Sequence, residues 1–233
     1  MLLLVRASRN LICLACLVLL VAGPAPAQQS GIATVAFSCD FPGSNPSHYG
    51  FSVTSARNVS YISDGKLTNA SASDGSSNDD GPFRMDFALS PATTAHIFDL
   101  AKTARYFQGT IDSKKKNIAS TGDKTLVYHD AEKSNMASYN YSSVPAVQEL
   151  TSLFQSLSSV VEFGRRLDYE YRYQKLALDE ELKRMEDTMA PDLWPDLPTA
   201  VPILQKIADD SSVIITVRTR AQRLLERART TGK

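Results

Sequence analysis

The chain has 233 residues, 43% of them hydrophobic and 21% charged, with 25 Lys and Arg against 25 Asp and Glu. A net charge of zero excludes the global basic field that draws nucleic acid or anionic lipid. Three cysteines exclude a disulfide-built scaffold, and the length is ample for a core that holds itself together.

The N-terminus carries an address. Arg6 and Arg9 make a short basic start, "LICLACLVLLVAG" runs from Leu11 to Gly23 without a charge, and "APA" at Ala25–Ala27 precedes Gln28. A basic start, an apolar run of this length and a small-x-small site describe a secretory signal peptide over residues 1–27. The run is too short to span a bilayer comfortably. Neither Cys13 nor Cys16 has the Leu three residues ahead that a lipidated cysteine needs. The expectation is a secreted or periplasmic protein with no transmembrane span after signal removal. The mature chain then holds 23 bases, 25 acids and one cysteine, Cys39, expected to be buried as a small hydrophobe.

Strand patterns follow. "IATVAFS" (Ile32–Ser38) is a first strand. "YGFSVTS" sets Tyr49, Phe51 and Val53 on one face. "NVSYIS" and "KLTNAS" flank Asp64-Gly65, a dipeptide favoured in tight hairpins. Ser71–Pro82, "SASDGSSNDDGP", reads as a polar loop. "FRMDFALS" alternates as a half-buried strand. A helix then opens at Ser90 as N-cap with Pro91 at its first turn. Its buried face is Ile97, Leu100, Ala101, Ala104 and Phe107. "KTLVYHD" and "MASYNYS" form a later strand pair joined through Ala131–Asn135.

From Pro145 the apolar period changes to three and four. Leu150, Leu153, Leu157, Val160, Gly164, Leu167, Tyr171, Leu178, Leu182, Met185 and Met189 make one stripe, with the polar Gln174 in its one gap. The spacing predicts a single helix over Val147–Met189, about 65 Å long at 1.5 Å per residue, with Gly164 as a kink. "APDLWPDLP" ends it. Two helices follow, over Thr199–Ala208 and from Asp210 or Ser211 to about Arg229. They are expected to fold back antiparallel and bury Leu178, Leu182, Met185 and Met189 beneath Val201, Leu204, Val213, Val217, Leu224 and Leu225.

Within the long helix, Arg165–Asp187 carries six bases and seven acids. Glu162–Arg166, Asp168–Arg172, Asp179–Lys183 and Glu180–Arg184 are acid-to-base pairs at i,i+4, which suit a solvated face. Tyr169 and Tyr173, four apart and off the main stripe with Leu176 near them, are the candidate binding residues, as a second packing face or an exposed aromatic contact.

Chemistry is sparse. The mature chain has no Gly-x-Ser-x-Gly elbow, no phosphate loop, no His-Glu-x-x-His and no Cys-x-x-Cys. The histidines are His48, His96 and His129, the last followed by Asp130. Asp74–Gly81, "DGSSNDDG", lacks the alternating acids and terminal Glu of a calcium loop. No metal and no cofactor is implied. Asn58, Asn69 and Asn140 open Asn-x-Ser triplets, which have meaning only in a eukaryotic secretory pathway.

"YISDGKL", "FDLAKTARYF" and "KTLVYHD", in that order over Ile32–Leu167, resemble small secreted bacterial domains of unknown function. "VPILQKIADDSSVIITVRTRAQRLLERA" resembles one HEAT-type helix pair through Asp209-Asp210, Val217-Arg218, Ala221 and Leu224. A solenoid needs several such units, so this one is expected to pack on the long helix. The reading is an α+β fold: an antiparallel β-meander with one packed helix over 28–145, then a long helix and a C-terminal helical hairpin or small bundle over 146–233. The expected function is non-catalytic binding of a protein or cell-envelope component after export. The rival is a periplasmic or secreted hydrolase with a site near His129, Asp130 and the Ser71–Pro82 loop.

Overall fold

A computed structural model describes residues 31–67, 81–114, 119–188 and 200–231. The signal segment, residues 71–80 of the polar loop, Met189 and the proline-rich break lie outside these. Six strands form one antiparallel sheet: β1 (Thr34–Asp40), β2 (His48–Thr54), β3 (Asn58–Ser63), β4 (Phe83–Ala88), β5 (Asp123–His129) and β6 (Ser134–Tyr139). Their order is β4-β3-β2-β1-β5-β6, a meander extended by a hairpin on the far side of β1. Among the described residues, five helices accompany the sheet in this α+β fold: α1 (Pro91–Thr103), α2 (Pro145–Tyr173), α3 (Leu178–Thr188), α4 (Val201–Asp209) and α5 (Ile215–Thr231). No helix among the described residues is long and apolar enough to cross a membrane.

Strict alternation gives the sheet two unlike faces. Phe37 lies opposite Phe51 and Leu126, and Phe51 opposite Tyr61. These residues, with Val35, Cys39 and Val53, are buried against α1 and α2. Phe154 of α2 stacks on Phe37 at 5.0 Å. The opposite face carries short side chains such as Ala36, Ser38, Ser52, Ser60 and Thr125, half-buried or exposed. The α1 start is as its sequence predicts: the Thr93 N–H donates to Ser90 Oγ at 3.1 Å, and Ile97, Leu100 and Ala101 are buried. Its last turn unwinds after Thr103 into a short 3₁₀ segment with left-handed backbone at Arg105, Tyr106 and Phe107, which still buries Ala104 and Phe107.

A second core joins Val160, Phe163 and Leu167 of α2 to Leu178, Leu182 and Met185 of α3 and to Ile203, Leu204, Val213, Val217, Leu224 and Leu225. The expected fold-back of the C-terminal helices is therefore present. α4 starts and ends near its expected bounds, whereas α5 begins at Ile215 rather than at Asp210 or Ser211. Asp210 instead builds a turn, accepting from the Ser212 N–H at 2.8 Å.

Three expectations need correction. The helix expected over Val147–Met189 is broken: α2 stops at Tyr173, Gln174 leaves helical geometry with φ −142° and ψ 54°, and α3 starts at Leu178. Gln174 is the gap in the stripe, so no buried side chain holds the helix straight there. Lys175 reaches across instead to Asp210 and Ser212, at 2.9 and 2.6 Å. Gly164 does not interrupt α2, which is helical on both sides of it.

The Asp64-Gly65 hairpin does not form either. β3 ends at Ser63 and pairs with β4. The Asp64 carboxylate is taken up by the His48 N–H at 2.8 Å and by the Ser47 hydroxyl. Gly65 instead passes close to α2. A Cβ there would lie 2.9 Å from Glu162 Oε2, so a side chain at this position would have to displace the end of Glu162.

The third correction concerns the charge pairs. Asp168–Arg172 and Glu180–Arg184 form at 2.6 and 3.7 Å. Glu162, however, is buried and accepts from Tyr61 Oη at 2.9 Å and Ser63 Oγ at 2.6 Å. Arg166 turns to Glu181 at 2.5 Å, and Asp179 is met by Arg220 of α5 at 3.1 Å. The buried acids Glu162 and Glu181 gather partners distant in sequence besides their i,i+3 arginines, because an unpaired buried charge is costly.

Candidate functional site

On α2 the three- and four-residue steps that bury Val161 and Gly164 also bring Arg165, Asp168, Tyr169, Arg172 and Tyr173 onto one side of the helix. That side borders a groove of about 890 Å³ that is also lined by Phe83, Arg84 and Met85 of β4 and by Pro202, Ile203 and Lys206 of α4. Tyr169 and Tyr173, the sequence candidates, both line it. Their rings meet at 5.1 Å and 50°, and Tyr173 is 71% exposed. Leu176 is 87% exposed but sits in the turn after α2, outside the groove lining.

The charge of the groove is lopsided. Arg165, Arg172 and Lys206 line it against the single acid Asp168, whereas Arg84 borders it at the β4 edge and alternates onto the opposite sheet face with Ser60 and Ile62. Two of the cations are held in place: Arg172 by Asp168 at 2.6 Å, and Arg165 by the Gly65 carbonyl at 2.8 Å. Arg165 also lies over the Phe83 ring at 4.4 Å and 3.7 Å from Glu162. Lys206 lies over Tyr171 at 4.7 Å. The Tyr171 hydroxyl donates to Asp210 at 2.8 Å. Hydrogen bonds from Lys175 and then Ser212 hold the Asp210 carboxyl well below the usual carboxylate range.

Of the rival site, His129 and Asp130 are among the described residues, and residues 71–80 of its loop lie outside them. His129 ends β5 on the exposed surface. Asp130 accepts from the Glu132 and Lys133 N–H groups at 2.8 and 2.6 Å and from Tyr128 Oη at 2.8 Å. The backbone bond from Glu132, and then the Tyr128 bond, lower its pKa, while burial and this same contact push Tyr128 up to about 12. Asp130 is thus the acid that closes the β5–β6 turn. His48 pairs with Asp40 at 2.6 Å and His96 with Glu149 at 2.9 Å, both on the surface and at different places in the fold. Among the described residues, no group of three or more His, Cys, Asp or Glu could hold a metal ion.

Two further polar clusters escaped the sequence reading. Lys124 is buried in β5, where Nζ donates to the carbonyls of Thr121, Gly122 and Asn140 at 2.8–3.1 Å. Burial lowers its pKa. At the α2–α3 junction, Glu170 lies beside Glu181, with Glu170 Oε2 buried and without a hydrogen bond. Burial, then the Glu181 charge, raise Glu170 to about 7 against the pull of Arg166 and Arg184. Neither cluster had a motif that could reveal it; each depends on the register of packed elements.

The groove has the same character: β4, α2 and α4 meet there from distant parts of the chain, and only its α2 side shows in the sequence as an interleaving of arginine and tyrosine. Comparison with protein-family models, with curated proteins and with solved structures finds no match to this chain.

Proposed function

We propose that the protein is exported to the periplasm or the cell exterior and acts there, without catalysis, by binding a protein or another cell-envelope component. The observation that carries this reading is the Tyr169–Tyr173 pair on the wall of the 890 Å³ groove. A tyrosine left 71% exposed beside arginine and lysine side chains supplies the rigid amphipathic contact that binding surfaces favour. The N-terminal segment supports the location.

The test is affinity capture from the native envelope fraction with the wild-type protein and with Tyr173→Ala. The variant is expected to unfold at the wild-type temperature, within about 1–2 °C, since the ring is mostly in solvent. It is expected to lose about tenfold or more of the captured component, as truncation of an aromatic anchor does. Hydrolysis of an ester, amide or glycoside that is abolished by His129→Ala would overturn the reading in favour of the hydrolase.

A further inference from the structure

We infer that the edge of β4 that no described strand pairs, and the groove beside it, receive an extended, acidic segment of a partner protein as an added strand. This deepens the binding reading above and rests on it. The first observation is the ladder. Among the described residues β4 pairs with β3 alone. The Leu89 N–H donates to the Arg57 carbonyl at 3.0 Å, one step beyond the Asn58–Ala88 pair. Hydrogen-bonded pairs alternate along an antiparallel ladder. Val59–Phe87, Tyr61–Met85 and Ser63–Phe83 therefore exchange the bonds, and the main-chain N–H and C=O groups of Arg84 and Asp86 point away from β3. They present a template for another strand.

The second observation is the burial profile. Phe83, Met85 and Phe87 stand on the same sheet face as Tyr61 and Phe51, yet they are only half-buried, whereas Tyr61 is fully buried. Among the described residues, the layer between sheet and helices is left open at this edge. An added strand would set alternate side chains into that opening, against Tyr169, Gly164 and Ile203. The third observation is charge. Three cations, Arg165, Arg172 and Lys206, against the single acid Asp168 along the groove favour carboxylates on the incoming segment, chiefly as selectivity. A free ladder edge selects a peptide over other polyanions, because only a peptide offers the matching row of N–H and C=O groups.

The experiment titrates the protein into a fluorescent eight-residue peptide alternating glutamate and valine. Two controls accompany it: the same peptide with alternate amides N-methylated, and one with lysine in place of glutamate. Saturable binding of the glutamate peptide alone is expected, weakening as salt is raised. Asp86→Pro removes an outward N–H without touching the β3 ladder, a position an edge strand tolerates. It should weaken binding about tenfold even though it also removes a negative charge. Lys206→Glu should weaken it by a similar factor, and it decides the matter if Asp86→Pro does not fold.

Equal binding of the lysine or the N-methylated peptide, or indifference to both substitutions, overturns the inference. So does binding of dextran sulfate in the absence of peptide binding, which would assign the groove to a polyanion of another class. If the peptide fails while Tyr173-dependent capture from the envelope persists, strand addition falls and the binding reading stands. If both fail, both fall.

Discussion

Glu170 is a side chain whose protonation the fold controls. Its unfolded value is near 4.5 and its folded value about 7, so the folded state holds the proton more tightly. Below pH 4.5 both states are protonated and the group contributes nothing. Between 4.5 and 7 the unfolded state ionises first, so stability falls as pH rises, and the deficit persists above 7. Glu170→Gln should therefore be more stable than the wild type above pH 7, with the difference vanishing below about pH 4.5. Urea midpoints for the two proteins across that range measure it. Cys39 is the converse case, a group kept out of chemistry. It is 3% exposed on β1, and burial raises its thiol pKa. Thiolate is the reactive form, so a thiol reagent should label the native protein far more slowly than the urea-unfolded chain. Equal rates would mean that β1 opens readily.

The α2–α3 break and the helices folded against it decide how the C-terminal half holds together. Leu182 is fully buried on α3 against the second core. Leu182→Asp places an unpaired charge there and should cost about 3–5 kcal/mol, read as a fall in the thermal midpoint. A variant that keeps its midpoint but loses self-association would instead place a second protein on this face. The alternation of Tyr49, Phe51 and Val53, the cap at Ser90 and the stripe from Leu150 to Leu167 were all legible in the sequence, because each depends on neighbours within one element. The break at Gln174, the reassignment of Glu162 to Tyr61 and Ser63, and the groove were not. They depend on which residue of another strand or helix arrives opposite, and nothing local fixes that. The i,i+4 rule misplaced Glu162 for the same reason: this acid takes the hydroxyls of β3, while Arg166, one turn away, is taken by Glu181.

For the molecule as a whole, export is the expectation that organises the rest. Mass spectrometry of the mature protein should find Gln28, or a near neighbour, at its N-terminus. Membrane-bound protein that retains residues 1–27 would reject soluble export. A binding role after export fits a chain whose charge is balanced overall but uneven locally, with cations gathered at one groove. Long-range attraction is then weak, and recognition falls to contacts made at short distance.

Val160 and Val161 are adjacent in the chain, yet Val160 packs among the C-terminal helices and Val161 against the sheet side. One helix is thus a common wall between two rooms. Neither room can be emptied alone: loosening the C-terminal helices strips one flank of α2, and a tilted α2 uncovers Phe37, Phe51 and Leu126. The sheet and the helical end should melt in a single transition, and a graft that exchanges either one without α2 should inherit an open side.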